Sequence, residues 1–460
     1  MRLVPGVYYH GEVVQHNAGL ISPAPHPERC SAVIKKTVGV LLAAVAMAAV
    51  MLAAGMAMTD GAQALEIGPS PTINQVPDDT WMTNGRVFSI IRSGDYIYVG
   101  GRFTRVMSEV SGGQSFAATN LARFDADTGV GDPSWTPDVT KAAEDPTLTT
   151  GMERGVYALA ASNGKIWVGG KFGAVNGVPR RNLAAVSPEG TGAVDATIDP
   201  VVGKEIHVVR AMIASTQKVY IGGSFGGVDG KARGNLAAID PITGNVDPAW
   251  KPRADRLVWT LAFSCDGSGV FAGGKFLNAA GSDGVFRART VIARFDATSG
   301  ALHPWAVPAS TFEGVDEGFV ASDMAVTCDR ITTGFLGHPN WVRSFRLDNG
   351  ETGSMAWGYR TGGNVQAVTM LGPDKVILGG HFKWVKDRVP RTCIAMVNLS
   401  DGSADPSWNV ALTAGATKAI GPWDLLVDEN HLYVGGHFTE VRTGGSVINQ
   451  TAFTRFTFTP

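Results

Sequence analysis

A seven-residue string, Leu432-Tyr433-Val434-Gly435-Gly436-His437-Phe438, recurs in near-copies along most of the chain and restricts the fold more than any other feature. The copies read IYVGGRF ending at Phe103, IWVGGKF at Phe172, VYIGGSF at Phe225, VFAGGKF at Phe276 and VILGGHF at Phe382. A worn copy, ITTGFL, ends at Leu336. Such a fixed period, here about 55 residues, marks a repeat architecture whose units bury their apolar faces only against neighbours.

Each unit follows one grammar. A short apolar run, such as Val87–Ile91, is followed by a turn and then by the VGGxF strand. A variable loop leads to a third strand, such as Asn120–Asp125. A further turn leads to Asp132-Pro133-Ser134-Trp135. The turns carry Gly, Asp and Asn, and the spacing predicts four short strands per unit. Seven units fit this grammar, the fifth divergent. The seventh lacks its DPxW segment, and the missing piece stands at the other end as Val76-Pro77-Asp78-Asp79-Thr80-Trp81. The expected fold is therefore all-β: a seven-bladed β-propeller with an N-terminal strand closing the last blade, as closed β architectures require. In this reading the Gly pair allows close backbone approach or a bulge. The Phe after it wedges between blades, and the DPxW Trp covers the outer edge.

The units resemble bacterial delta-sixty repeat propellers, a family of uncharacterised secreted proteins. The resemblance rests on GGxF, on Asn176-Gly177 through Arg180 to Leu183, and on the stretch from Asp240 to Trp250. It covers nearly everything after the N-terminal segment and implies the fold, but no common activity. The fifth unit, with its DNGETGSMAW, instead resembles blades of quinoprotein dehydrogenase propellers.

The front of the chain reads as residues 1–64, a lead-in and secretory signal, ahead of a propeller at residues 65–460. Lys35-Lys36 precedes an apolar run from Val38 to Met58, and Ala62-Gln63-Ala64 offers a cleavage site. Cleavage after Ala64 gives a secreted or cell-surface protein; without it, residues 38–58 would anchor the chain in the membrane. The long lead-in of 34 residues fits a start assigned too far upstream or a short cytoplasmic tail. Of four cysteines, Cys30 precedes the cleavage site, and Cys265 and Cys328 share a place in successive units. A disulfide between them in an oxidising compartment and a pair of free thiols both fit the spacing.

Net charge is −2, which argues against broad nucleic-acid binding. There is no nucleophile elbow, HExxH, Walker loop or dinucleotide fingerprint in context, and no metal or cofactor is implied. In propellers, ligands usually meet the face where the inner strands begin, a fold-level analogy. Aligning the units there puts Phe88, Tyr157, Arg210, Trp259, Ser322, Gln366 and Trp423 in one column. The next column holds small residues except Asp323 and Asp424, the weak catalytic candidates. They are either catalytic acids or acceptors for neighbouring backbone. Tyr157, Arg210, Trp259 and Trp423 are candidates for stacking a sugar or ring. Arg180, Arg233, Arg289 and Arg391 recur at matching positions, as a cationic arc for anions or as clamps between blades. His381 and His437 share the x of GGxF as exposed polar positions. The leading expectation is a binding module for a protein, glycan or cell-envelope component. The alternatives are a propeller hydrolase, lyase or quinone-dependent dehydrogenase, and a purely structural envelope protein.

Overall fold

The computed structural model describes residues 69–459 apart from 109–112, 141–153, 204–206, 317, 348–349 and 415–419. The stretch read as a signal with its cleavage site, and Cys30, lie outside the described residues. No helix among the described residues is long and apolar enough to cross a membrane. The chain instead forms a series of antiparallel meanders.

Among the described residues seven sheets begin with the strands Arg86–Ser93, Gly155–Ser162, Val208–Ala214, Val258–Phe263, Val320–Val326, Val365–Leu371 and Gly421–Val427. Each pairs with the strand carrying the glycine signature: Tyr96–Arg102, Lys165–Lys171, Val219–Ser224, Gly269–Gly274, Arg330–Leu336, Lys375–Gly380 or His431–His437. Third strands follow from Leu121–Asp125 to Phe453–Thr459. The first strand of every sheet packs against the first strand of the next, and Gly421–Val427 packs against Arg86–Ser93. The sheets are thus blades set around a central channel.

The fourth strand departs from expectation. It is a full strand only in blade 5, at Met355–Arg360. In blades 1, 2, 3, 4 and 6 it shrinks to a single bridge at Gly131, Val194, Val246, Leu302 and Ala404. In blades 1, 3, 4 and 6 a Pro two residues after the bridge removes a donor, so the ladder cannot run on; blade 2 has Ala196 there and is reduced all the same. The ring closes as the repeat implies. Asp78 donates its N–H to Arg455 O at 2.9 Å, as Asp132 does to Arg123 O at 3.0 Å in blade 1. Asp78 Oδ2 also accepts from Arg455 Nε at 2.7 Å, matching Asp132 and Arg123 at 2.8 Å. The closing strand proper starts earlier than expected, with Thr72 opposite Thr459 and Ile73 opposite Phe458.

The glycine pair has two separate jobs. Opposite it, every innermost strand carries a bulge, between Val87 and Ser89, Val209 and Ala211, Pro422 and Asp424, and likewise in the other four blades. The bulge pushes a backbone carbonyl toward the second strand, so a Cβ on the second glycine would collide with it, Val208 O at Gly223 for example. The first glycine receives the next blade. A Cβ at Gly222 would lie 2.6 Å from Val258 Cγ1, and one at Gly435 would lie 2.5 Å from Val87 Cγ1 across the closing junction. Blade 5 keeps the first, Gly334, but has Phe335 in the second place, buried with Phe312 and Phe319.

The Phe of GGxF is buried between blades, Phe225 sitting in one cluster with Trp167 and Leu183 of blade 2. The DPxW Trp is a correction: it does not cover the outer edge. Trp135, Trp250, Trp305 and Trp408 are fully buried. Each donates its indole N–H across a junction, Trp135 to Ser187 O at 2.9 Å and Trp250 to Asp296 O at 3.1 Å. At the closing junction Trp408 donates to Asn74 O at 3.1 Å. A wide indole with one donor suits this place, because it fills the junction and its N–H reaches a carbonyl at the end of the third strand. Cys265 and Cys328 are joined as a disulfide with Cα atoms 5.1 Å apart, linking the first turns of blades 4 and 5, and Cys393 is a buried free thiol.

Between second and third strands, the loops of every blade but the fifth form small hairpins on one face. Those of blades 1, 2, 4 and 7 pair with the incoming linker strand, Thr413 opposite Glu440 in blade 7, for example. Asn176-Gly177 supplies the left-handed turn, with φ of 51° and 74°. A second left-handed residue starts the third strand: Asn120, Asn182 and Asn235. Asn235 Oδ1 accepts from Phe225 N, and its Nδ2 donates to Ala254 O in the next linker.

Candidate functional site at the channel floor

The bulge decides what faces the channel. A bulged residue is unpaired and re-aimed, and here the seven bulged residues are the aligned column: Phe88, Tyr157, Arg210, Trp259, Ser322, Gln366 and Trp423. Five of them, Phe88, Tyr157, Arg210, Trp259 and Trp423, meet near the hairpin-face end of the channel. Phe88 stacks on Tyr157 at 4.8 Å between centroids and stands edge-on to Trp423 at 5.8 Å. The Arg210 guanidinium carbon lies 4.3 Å from the Trp259 ring centroid, 4.8 Å from Tyr157 and 5.7 Å from Trp423. Only 8% of Arg210 is exposed. The column closes the channel as a floor of rings around one cation.

The next column serves the exposed edge of the innermost strands, whose N–H groups point into the channel. Asp424 Oδ2 accepts from Ile90 N in the following blade at 2.6 Å, and Oδ1 from Leu425 N at 2.8 Å. Asp323 Oδ2 accepts from Val368 N at 2.7 Å, and Oδ1 from Met324 N at 2.8 Å and Thr260 Oγ1 at 3.3 Å. Ser89 Oγ does the same for Leu159 N at 3.1 Å. These are the backbone-acceptor roles. Burial pushes the Asp323 carboxyl up to about 6. Burial, then the charge of Asp323, pushes Asp424 up to about 7. Burial lowers Arg210 to about 10. Neither carboxylate forms an ion pair with Arg210.

The structure does not gather Arg180, Arg233, Arg289 and Arg391 at the channel. Each straps its own hairpin to its own fourth strand. Arg233 donates to Ala232 O at 2.8 Å and Asp247 O at 2.8 Å. Arg391 reaches Pro390 O and Asp405 O, Arg180 reaches Pro179 O and Asp195 O, and Arg289 reaches Ala288 O and His303 O. Arg chosen for two carbonyls at once explains the recurrence. His381 is exposed and His437 half-buried.

Two features escaped sequence reasoning. One is the unpartnered polar atoms on the floor: Arg210 Nε, Gln366 Oε1 and Trp423 Nε1. Their signal was the aligned column itself, but only the bulge turns it inward. The other is a cleft of about 450 Å³ on the hairpin face between blades 3 and 4, lined by His207, Ser224, Arg233, Asn235, Arg253 and Phe286 among others. Phe286 is 43% exposed, with the Arg253 guanidinium 5.4 Å from its ring centroid.

Comparison with known proteins agrees on the architecture. The family model described as "Domain of unknown function (DUF5122) beta-propeller" matches residues 161–191, from the end of the second blade's first strand through its second and third. The crystal structure of RRP9 WD40 repeats superposes with a TM-score of 0.51 at 9% identity, covering 84% of this chain and 99% of that one. The WD40 propeller domain of Doa1 gives 0.44 at 10% identity, covering 84% and 97%. No curated protein matches the sequence. The fold is a β-propeller. At such identity the likeness is one of fold alone.

Proposed function

We propose that this chain is an exported propeller of the delta-sixty repeat kind that serves as a binding module for a protein, glycan or cell-envelope component through its hairpin face. The observation that carries the reading is the Phe286–Arg253 cleft, an exposed aromatic ring beside cations and an open cavity. Aromatic and Arg side chains are enriched at recognition hot spots. Exposed Leu277, Val285 and Val447 on the same face add apolar area. The disulfide supports passage through an oxidising compartment.

The raised carboxylates favour an enzyme instead, since perturbed acids cluster at active sites. Against that, the hydrogen bonds to Asp323 and Asp424 come from backbone N–H groups and Thr260, and none joins the two acids. The test is a glycan and cell-wall binding screen with the full chain, repeated with Phe286→Ala, Arg253→Ala, Trp259→Ala and Trp423→Ala. Loss of at least about tenfold in affinity is expected for the first two, the size of a hot-spot truncation. Retained binding in both removes the cleft from the interface.

A further inference from the structure

We propose that the cleft between blades 3 and 4 takes a sugar ring bearing a carboxylate, as one unit of an acidic glycan. The proposal rests on the reading of that cleft as the recognition site and names its ligand. In a repeat protein the other blades show what the fold itself requires. Departures from the repeat that gather at one place therefore serve something besides the fold, and four gather here.

Two of them make room. At the x of GGxF, blade 3 has Ser224 where blades 1, 2, 4, 6 and 7 have Arg102, Lys171, Lys275, His381 and His437. After the strapping arginine, blade 3 has Gly234 where blades 2, 4 and 6 have Arg181, Thr290 and Thr392. A Cβ on Gly234 would lie 3.0 Å from Arg253 Cβ and 3.1 Å from its Nε, so Arg253 rests against bare backbone.

The other two supply contacts. Three residues past the buried tryptophan stand Asp138, Pro308 and Ala411 in other linkers, and Arg253 here. Three residues before the strapping arginine, blades 2, 3 and 6 have Gly177, Gly230 and Arg388, and blade 4 has Phe286. Arg253 pairs with Ala280, and Ala280 with Phe286, so the two side chains share one face of a three-stranded sheet with only a methyl between them. Arg253 is exposed, and no described residue accepts a hydrogen bond from its guanidinium. Asp255 does not pair with it; that carboxylate holds Leu277 N at 3.0 Å and Asn278 Nδ2 at 2.8 Å.

These groups ask for opposite qualities in one ligand. The Phe286 ring takes a flat C–H face, the Arg253 fork takes a carboxylate, and Ser224 takes a hydroxyl. A uronic acid ring carries all three. The cleft, at about 450 Å³, is of small-ligand size. An acidic peptide would also meet the arginine, but its neighbouring side chains would find no apolar pocket. Phe286 is the one large apolar side chain exposed in the cleft; Phe225 is buried, and the remaining lining is polar or small.

The experiment is calorimetric titration of the full chain with trigalacturonate, its methyl ester and triglutamate. Trigalacturonate should bind. The ester keeps the rings without the charge, and triglutamate keeps the charge without the rings; each should bind at least about tenfold more weakly. Arg253→Gln should weaken trigalacturonate roughly 10- to 100-fold, the worth of a charged hydrogen bond, and spare the ester. Phe286→Ala should weaken both sugars. Gly234→Ala, which displaces Arg253 without removing it, should weaken the acid and spare the ester. No trigalacturonate binding by the folded wild type, equal affinity for the ester, equal or tighter binding of triglutamate, or no effect of Arg253→Gln would each overturn the proposal. If the glycan and cell-wall screen instead yields a neutral ligand that Phe286→Ala weakens, the cleft stands and only the acidic sugar falls. If neither Phe286→Ala nor Arg253→Ala changes binding in that screen, the cleft itself falls.

Discussion

At the scale of single residues, the channel carboxylates illustrate how a side chain is chosen for an edge. Innermost strands expose N–H groups to a lumen, and a short acceptor one position beyond the bulge reaches the next blade. A folded-state value of about 7 for Asp424 lies above the ordinary 3.8. The folded protein therefore keeps a proton that the unfolded chain has released. That contribution is complete below about pH 4 and is lost as pH rises toward about 7. Asp424→Asn cannot ionise. Its cost, about 1 kcal/mol at pH 4 for an impaired hydrogen bond, should shrink or reverse by pH 8 in urea titrations. A cost independent of pH would mean that Asp424 is ionised in the folded state throughout. From sequence, Asp323 and Asp424 stood out against small residues in their column, but their partners did not. Those partners are backbone groups of another blade, and no side-chain pattern records them. The four arginines show the same limit: recurrence was visible, whereas the carbonyls that explain it belong to hairpins of irregular sequence.

At the scale of elements, the glycine pair was legible as a signal for close approach, and the bulge opposite it was one of two readings. The structure separates the two glycines by what each would touch. Gly223→Ala would drive a methyl into Val208 O, a backbone atom that cannot rotate away. We expect a loss of about 1–3 kcal/mol, the range for overpacking. Gly226→Ala, three residues on with nothing within 4 Å of its Cβ, should change stability by less than about 0.5 kcal/mol. Chemical denaturation of the two variants side by side decides it, and similar costs would show that the bulge yields. The Trp was misread because a DPxW segment looks like an edge strand. The indole instead turns inward and donates to a carbonyl at the end of the next blade's third strand.

At the scale of the whole molecule, closure was the most legible feature, since a missing segment at one end matched a spare one at the other. Asp78 holds Arg455 as Asp132 holds Arg123, so the two ion pairs are the same device, one within a blade and one joining the chain's distant parts. Asp78→Ala and Asp132→Ala should each cost about 1–3 kcal/mol, as for a charged hydrogen bond. Only Asp78→Ala should raise amide exchange along Phe453–Thr459, because only there does the partner strand come from elsewhere in the sequence. Equal protection of that strand in both variants would show that Thr72 and Ile73 suffice for closure. The five reduced fourth strands were not legible, since a lone bridge and a full strand share the same turn residues.

The seat that Gly222 offers to Val258 is repeated, with Gly435 and Val87, where the polypeptide passes from its last blade to its first. Every blade carries the same socket on one side and, in most, the same plug on the other. The wheel therefore has no privileged starting spoke, and the order of the modules along the gene could be rotated without altering a single junction.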